Sequence, residues 1–176
     1  MTPLVSNLWP QFMVDPAFAA CFGQVIVEHA QMLRQERQVI FTLRSSAPLD
    51  KGLCARLLAS LQPDYEGFEL KINNLFGYAA LDEAALRELM EEMKRDGIPI
   101  NGFLDRCRIT ITGQNITVGV CHGTKFLQEM EFERLLADRV AAHTGVRPKV
   151  TLTSAVGEAE QRQMEEKLER LSLIHI

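Results

Sequence analysis

Few residues in this sequence have the type and spacing that bond-making requires. Cys121 and His122 together offer a thiol and an imidazole, the parts of a nucleophile and its general base. They are neighbours at the end of a strand-like run, and neighbouring strand residues point to opposite faces, so the pair is expected to be idle. Carboxylates serve acid–base or two-metal chemistry only when they converge in a cleft. Glu91, Glu92, Glu129, Glu131, Glu133, Glu165 and Glu166 instead fall on helical stretches and read as solvated faces. The run from Gly119 to Gly123 (GVCHG) has neither the dinucleotide-fingerprint nor the P-loop spacing. No catalytic, cofactor-binding or metal-ligating residue is assigned from the sequence.

Binding chemistry leaves a fainter trace. Arg106 and Arg108, with Lys71 and Lys149 on other strands, supply at most a weak basic face among ordinary surface charge. A KH-type fold grips a nucleic-acid backbone with a GxxG loop, and none stands at the equivalent turn of either half of the chain. The formal net charge of −4 also argues against a free-standing nucleic-acid binder, which usually shows a basic surface. The four cysteines, Cys21, Cys54, Cys107 and Cys121, form no CxxC and are expected as free thiols in a reducing compartment.

The elements that would position these residues are plainer. RCRITITGQNITVGV, from Arg106, predicts a β-hairpin around Gly113 and Gln114, a two-residue loop suited to a type II′ turn. That register sets Ile111 opposite Ile116, Ile109 opposite Val118 and Cys107 opposite Val120 on an apolar face. Thr112 with Asn115, Thr110 with Thr117 and Arg108 with Gly119 form the polar face. A long helix is expected from Gly123 and Thr124, with Thr124 as N-cap and Phe126, Met130, Leu136 and Val140 buried, closed by Thr144 and an αL Gly145. A return strand over 146–154 carries Val150 and Leu152 inward.

The first half has the same order. Asp15 and Pro16 open a short aromatic helix that ends near Phe22. Residues 24–29 and 37–44 read as strands joined by a polar linker over 30–36, with the hairpin tip expected to extend as a solvated ribbon. Asp50 or Leu49 opens a helix bearing Leu53, Leu57 and Leu61, which Pro63 stops, and residues 67–73 form a third strand. Asp82 caps a helix over 83–95 with Leu86, Leu89, Met90 and Met93 on one face, ended by Asp96 and Gly97. Residues 98–104 form an irregular bridge. Helix, strand, strand, helix, strand thus occurs twice at an offset of about eighty residues, without matching identities. The expected fold class is α+β: two small ββαβ layer sandwiches in tandem. Their spans are 8–76 and 81–155, followed by a charged helix or linker over 157–170 with the pairs Glu158–Arg162 and Glu166–Arg170. Residues 171–176 (LSLIHI) resemble the translated end of a sequencing adaptor, so the chain is expected to be a truncated reading frame with an adaptor-derived tail. No basic leader and no bilayer-length apolar run is present, which predicts a cytoplasmic location and no membrane partner.

The whole-chain pattern resembles the N-terminal region of PolC-type DNA polymerase III alpha subunits, the replicative polymerases of low-GC Gram-positive bacteria. The resemblance covers most of residues 8–170. It rests on the hairpin QVIVEHAQMLRQERQVIFTLR with its proline and leucine-rich helix, on GFELKI, on ITITGQNITVGV, and on KVTLTS running into a charged helix. It implies a KH-like fold, similar to the domain by which the clamp-loader tau subunit holds its polymerase. It further implies a non-catalytic protein-interaction module whose partners are replisome proteins, such as clamp-loader or other polymerase-associated subunits. In such a polymerase, template-directed DNA synthesis, proofreading, DNA contact and a divalent metal such as Mg belong to domains beyond this region, so no cofactor is expected here. Residues 1–7 do not match the pattern. A stand-alone KH-like nucleic-acid-binding domain is the alternative, and a small enzyme of unknown type a third reading that no residue cluster supports.

Overall fold

The computed structural model describes residues 2–100, 102–155, 167 and 170. The charged stretch 157–170, apart from Lys167 and Arg170, and the tail 171–176 lie outside them, as do the two expected i,i+4 pairs. The chain is mixed α+β, with two three-stranded sheets and several helices. It forms two compact units: residues up to Leu81 together with Ala142–Val146, and Asp82–Ala141 together with the chain from Arg147 onward.

In the first unit, α1 (Val5–Leu8) and a 3₁₀ turn (Pro10–Val14) lead into α2 (Pro16–Phe22). The Asp15 carboxylate accepts the Ala17 N–H at 2.8 Å, so a free amide of the first turn is satisfied where Pro16 has none to offer. β1 (Ile26–Leu33) pairs antiparallel with β2 (Gln38–Arg44), and β2 pairs parallel with β3 (Glu69–Leu75), giving the order β1-β2-β3. α3 (Lys51–Leu61) makes the crossover. Asp50 caps it by accepting the Leu53 N–H at 2.8 Å, and its Leu57 and Leu61 are buried. They close a core with Phe22, Phe41, Leu43 and Leu70.

Two boundaries here differ from the sequence reading. β1 runs on to Leu33, and Ala30 and Gln31, expected in a linker, pair with Phe41 and Ile40. The turn is confined to Arg34–Arg37, with Arg37 at φ +53°. The ribbon's outer end has exposed side chains from His29 to Met32, so no burial pattern marks it as strand. β3 is shifted two residues later than expected, because a 3₁₀ turn (Gln62–Tyr65) follows α3.

In the second unit, α4 (Glu83–Arg95) is capped by Asp82, whose carboxylate accepts the Ala85 N–H at 2.8 Å. Leu86, Leu89, Met90 and Met93 are its buried residues, and Gly97 leaves it at φ +87°. β4 (Arg108–Thr112) and β5 (Asn115–Val120) form the hairpin in the expected register, from Arg108 opposite Gly119 to Thr112 opposite Asn115. Cys107 precedes β4 and is not part of the ladder. Gly113 sits at φ +56° and Gln114 is not among the positive-φ residues, the sign pattern of a type II′ turn. β5 then pairs parallel with β6 (Lys149–Ser154), giving the order β4-β5-β6. Ile109, Ile116, Val118 and Val120 are all buried. A one-residue slip would expose these four side chains, at roughly 1.5–3 kcal/mol each. That loss, about 6–12 kcal/mol, is comparable to the whole stability of a domain, so burial fixes the register.

The long helix expected from Thr124 is broken. α5 (Thr124–Glu129) stops at Met130, Glu131 turns to φ +56°, and α6 (Phe132–Thr144) begins anew. Thr124 is not the cap: the N-cap position is Gly123, at φ +78°, and makes no side-chain cap bond. The break rephases the buried stripe. Phe126 is 42 % exposed, and Leu127, Phe132, Leu136, Ala137 and Val140 are the buried residues. Glu131 is neither Gly nor Pro, so the sequence gives no mark of the interruption. Gly145 takes the expected left-handed conformation at φ +72°.

Candidate functional site

The second unit carries an aromatic surface that pattern reading passed over. After α4 the bridge is pinned by Ile100 and Leu104, both buried, and the half-buried Phe103 stands between them. β5 ends at Val120, and the chain turns through Cys121, His122 and Gly123 into α5. Phe103 lies directly on that turn: a Cβ added at Gly123 would come within 2.1 Å of its Cδ1. Gly123 is therefore required twice, for its positive φ and for the ring that covers it. The Phe126 ring stacks on Phe103 with centroids 5.2 Å apart and planes at 27°, and the His122 ring lies 5.5 Å from Phe103. Leu127, fully buried, anchors α5 beneath them.

The charge around these rings is uneven. Among the described residues Arg106, Arg108 and Lys125 form no ion pair. The backbone at Arg106 is close to the turn, its carbonyl accepting from the Cys121 thiol at 3.9 Å, and Lys125 adjoins Phe126. Acids of the same region are engaged: Lys94 holds Glu91 at 2.7 Å and Asp105 at 3.2 Å, and Glu131 pairs with Arg134 at 2.5 Å. The Glu91 hydrogen bond, ahead of that from Asp105, raises the Lys94 ammonium above its usual range, so it stays charged. Glu129, one turn after Lys125, is the acid of α5 and has no ion pair among the described residues.

Two concavities among the described residues are built around structural contacts. One, about 280 Å³, is lined by Arg87, Met90, Glu91, Lys94, Leu104 and Asp105. Its cations are committed: Arg87 donates to Glu83 at 2.7 Å and to the Cys107 carbonyl at 2.9 Å, tying α4 to the start of β4. Burial pushes the Cys107 thiol up, against the opposing pull of Arg87. The other, about 400 Å³ in the first unit, includes Phe12, Val14, Asp15, Phe18 and Arg56. There the Arg56 guanidinium sits 4.8 Å over the Phe18 ring and 2.9 Å from Asp15, whose carboxyl that hydrogen bond lowers below its usual range.

The other residues singled out by sequence are dispersed. His122 belongs to the aromatic surface rather than to a thiol–imidazole pair. Lys71 is in the first unit, 3.4 Å from Glu69. Arg108 and Lys149 share the polar face of the β4-β5-β6 sheet at diagonal corners, with Thr110, Thr117 and Thr151 in the row between. Glu133 accepts the Leu152 N–H at 2.7 Å, and Glu92 lies 3.8 Å from Arg139. Glu165 and Glu166 lie outside the described residues. Among the described residues no three His, Cys, Asp or Glu side chains gather as metal ligands would, and no helix is long and apolar enough to cross a membrane. Phe103 and His122 are nineteen positions apart, and only the packing of the bridge onto the β5–α5 turn brings them together. Compared with known proteins, the chain matches no family model, no curated protein and no solved structure.

Proposed function

We propose that this chain is a non-catalytic protein-interaction module from the N-terminal region of a PolC-type replicative DNA polymerase. In this reading its two units are tandem ββαβ layer sandwiches of the KH-like, tau polymerase-binding-domain-like kind, and replisome subunits are its partners. The observation that carries the reading is the repeated topology. Each sheet takes an antiparallel hairpin and then a parallel strand beside the hairpin's second strand, in the orders β1-β2-β3 and β4-β5-β6. The stretches that resemble the PolC region, QVIVEHAQMLRQERQVIFTLR, GFELKI, ITITGQNITVGV and KVTLTS, supply most of those strands. Synthesis, proofreading and the divalent metal would then belong to other domains of the polymerase.

The test is the DNA downstream of codon 170 in an unbroken contig. Continuation of the frame into an OB-fold and an exonuclease domain is the expected result, and a frame lacking both overturns the reading. Calorimetric titration of the purified chain with clamp-loader subunits then tests the partner class. A stand-alone KH-like nucleic-acid-binding role is the second reading, favoured by the Phe103–Phe126 ring pair beside cations that form no ion pair among the described residues.

A further inference from the structure

We propose that Phe126, Phe103 and His122 form a stacking platform for unpaired bases of single-stranded nucleic acid, with Arg106 and Lys125 engaging its phosphates. The proposal deepens the second reading above and is independent of the polymerase partner. Its starting point is a ring left out of the core. Phe126 is 42 % exposed while the next residue, Leu127, is fully buried. The exposed ring is not loose: Phe103 stacks on it at 5.2 Å, and Phe103 is itself seated on the bare backbone of Gly123. A platform held from below loses little freedom when a ligand ring is laid on it.

The surroundings select the ligand. Little apolar area adjoins the rings: Met130, one turn on from Phe126, is half-buried, while Cys121, His122, Lys125, Gln128, Glu129 and Arg106 are exposed and non-aliphatic. Two phenyl rings ringed by polar groups fall far short of the roughly 800 Å² per partner that a stable protein interface covers. They do match the area of one or two bases. Arg106 and Lys125, which form no ion pair among the described residues, with Arg108 further along β4, call for a ligand that carries negative charge as well as flat π faces. A nucleotide strand has both, and its bases must be unpaired to reach the rings, which excludes an intact duplex. Every base has a π face, so the contact tolerates sequence. Glu129 and the net charge of −4 limit the grip to a short, salt-sensitive site.

Fluorescence anisotropy of labelled oligo-dT and oligo-U of about 12 nucleotides, titrated with the full chain across about 50 to 200 mM salt, tests the proposal. Both strands should bind, and a duplex of equal length should bind more weakly. Phe126→Ala should weaken binding roughly tenfold with an unchanged salt slope, and Phe126→Trp should restore it. Arg106→Ala and Lys125→Ala should each flatten the slope by about 0.7. Circular dichroism melts of each variant establish that the fold persists, as expected for exposed positions. Failure of either strand to bind at low salt, equal binding of duplex, or a Phe126→Ala variant indistinguishable from the parent overturns the proposal. Loss of a replisome protein's binding in Phe126→Ala, with no oligonucleotide bound by the parent chain, would assign the surface to protein instead. The polymerase reading survives any of the oligonucleotide failures, since its own test is the downstream frame.

Discussion

Gly123 and Gly97 both have strongly positive φ, +78° and +87°, but a Cβ at Gly97 meets nothing within 4 Å, whereas one at Gly123 strikes Phe103. Both lie in the second unit. Alanine at Gly97 should therefore cost only the backbone term, about 1–2 kcal/mol for an L-residue in the left-handed region. Alanine at Gly123 adds displacement of a ring whose Cγ, Cδ1 and Cε1 are all within 3.1 Å of the new atom, so rotation of its far end gives no relief. Overpacking of that kind costs about 1–3 kcal/mol, for a total of about 2–5 kcal/mol. Phe103→Ala removes the obstruction, and in that background Gly123→Ala should cost no more than Gly97→Ala does, a coupling of about 1–3 kcal/mol. Native-state hydrogen exchange at the Ile116 and Val118 amides reads the stability of this unit alone. Equal costs at the two glycines, or a Gly123→Ala cost that persists without Phe103, would refute the argument that the ring sits on the turn.

Three further outcomes follow from the packing. Phe22→Ala should destabilise the first unit by about 3–5 kcal/mol in urea unfolding followed by Trp9 fluorescence, whereas Val14→Ala should stay within about 0.5 kcal/mol, because Phe22 is wholly buried and Val14 is 85 % exposed. Glu133→Ala should cost about 1–2 kcal/mol and speed exchange at the Leu152 amide, whose donor loses its partner; Glu133→Gln should recover part of both. Burial, reinforced by Cys21 and Asp50, pushes the Cys54 thiol up to about 11 from 9.0. Its alkylation at pH 8 should lag that of exposed Cys121, by mass spectrometry. Because the raised value favours the neutral thiol in the folded state, its stabilisation is intact below about pH 9 and lost as pH rises through 11.

Local chemistry was readable and long-range pairing was not. Asp15 and Asp82 were recognisable as caps, and Asp50 as one of two candidate helix starts, because a carboxylate three positions or fewer from a free amide acts within one turn. The β4–β5 register followed from Gly113 and strict alternation. The parallel partners β3 and β6 had no such sign, since their register depends on where α3 and α6 set them down. The outer half of β1 was read only as a solvated extension of the hairpin, and its end could not be placed because both its faces meet water. Phe126 was assigned inward because an unbroken helix from Thr124 would have put it there, and nothing about Glu131 announces a left-handed residue. The aromatic surface was hidden for the same reason, its three rings belonging to a bridge, a turn and a helix that the sequence treats separately.

The first unit is finished by a stretch the ribosome makes late. Ala142–Val146 belongs to it, and His143 meets it twice: the His143 carbonyl accepts the Phe76 N–H at 2.9 Å, and its Nδ1 lies 2.8 Å from the Asn74 carbonyl. A nascent chain that has just emerged through Leu81 therefore holds a unit whose last strand still waits for its polar partners, until everything from α4 to α6 has been translated. Domains ordinarily complete themselves in the order of synthesis. This one cannot, and an expression product trimmed after Leu81 would inherit the same gap for good.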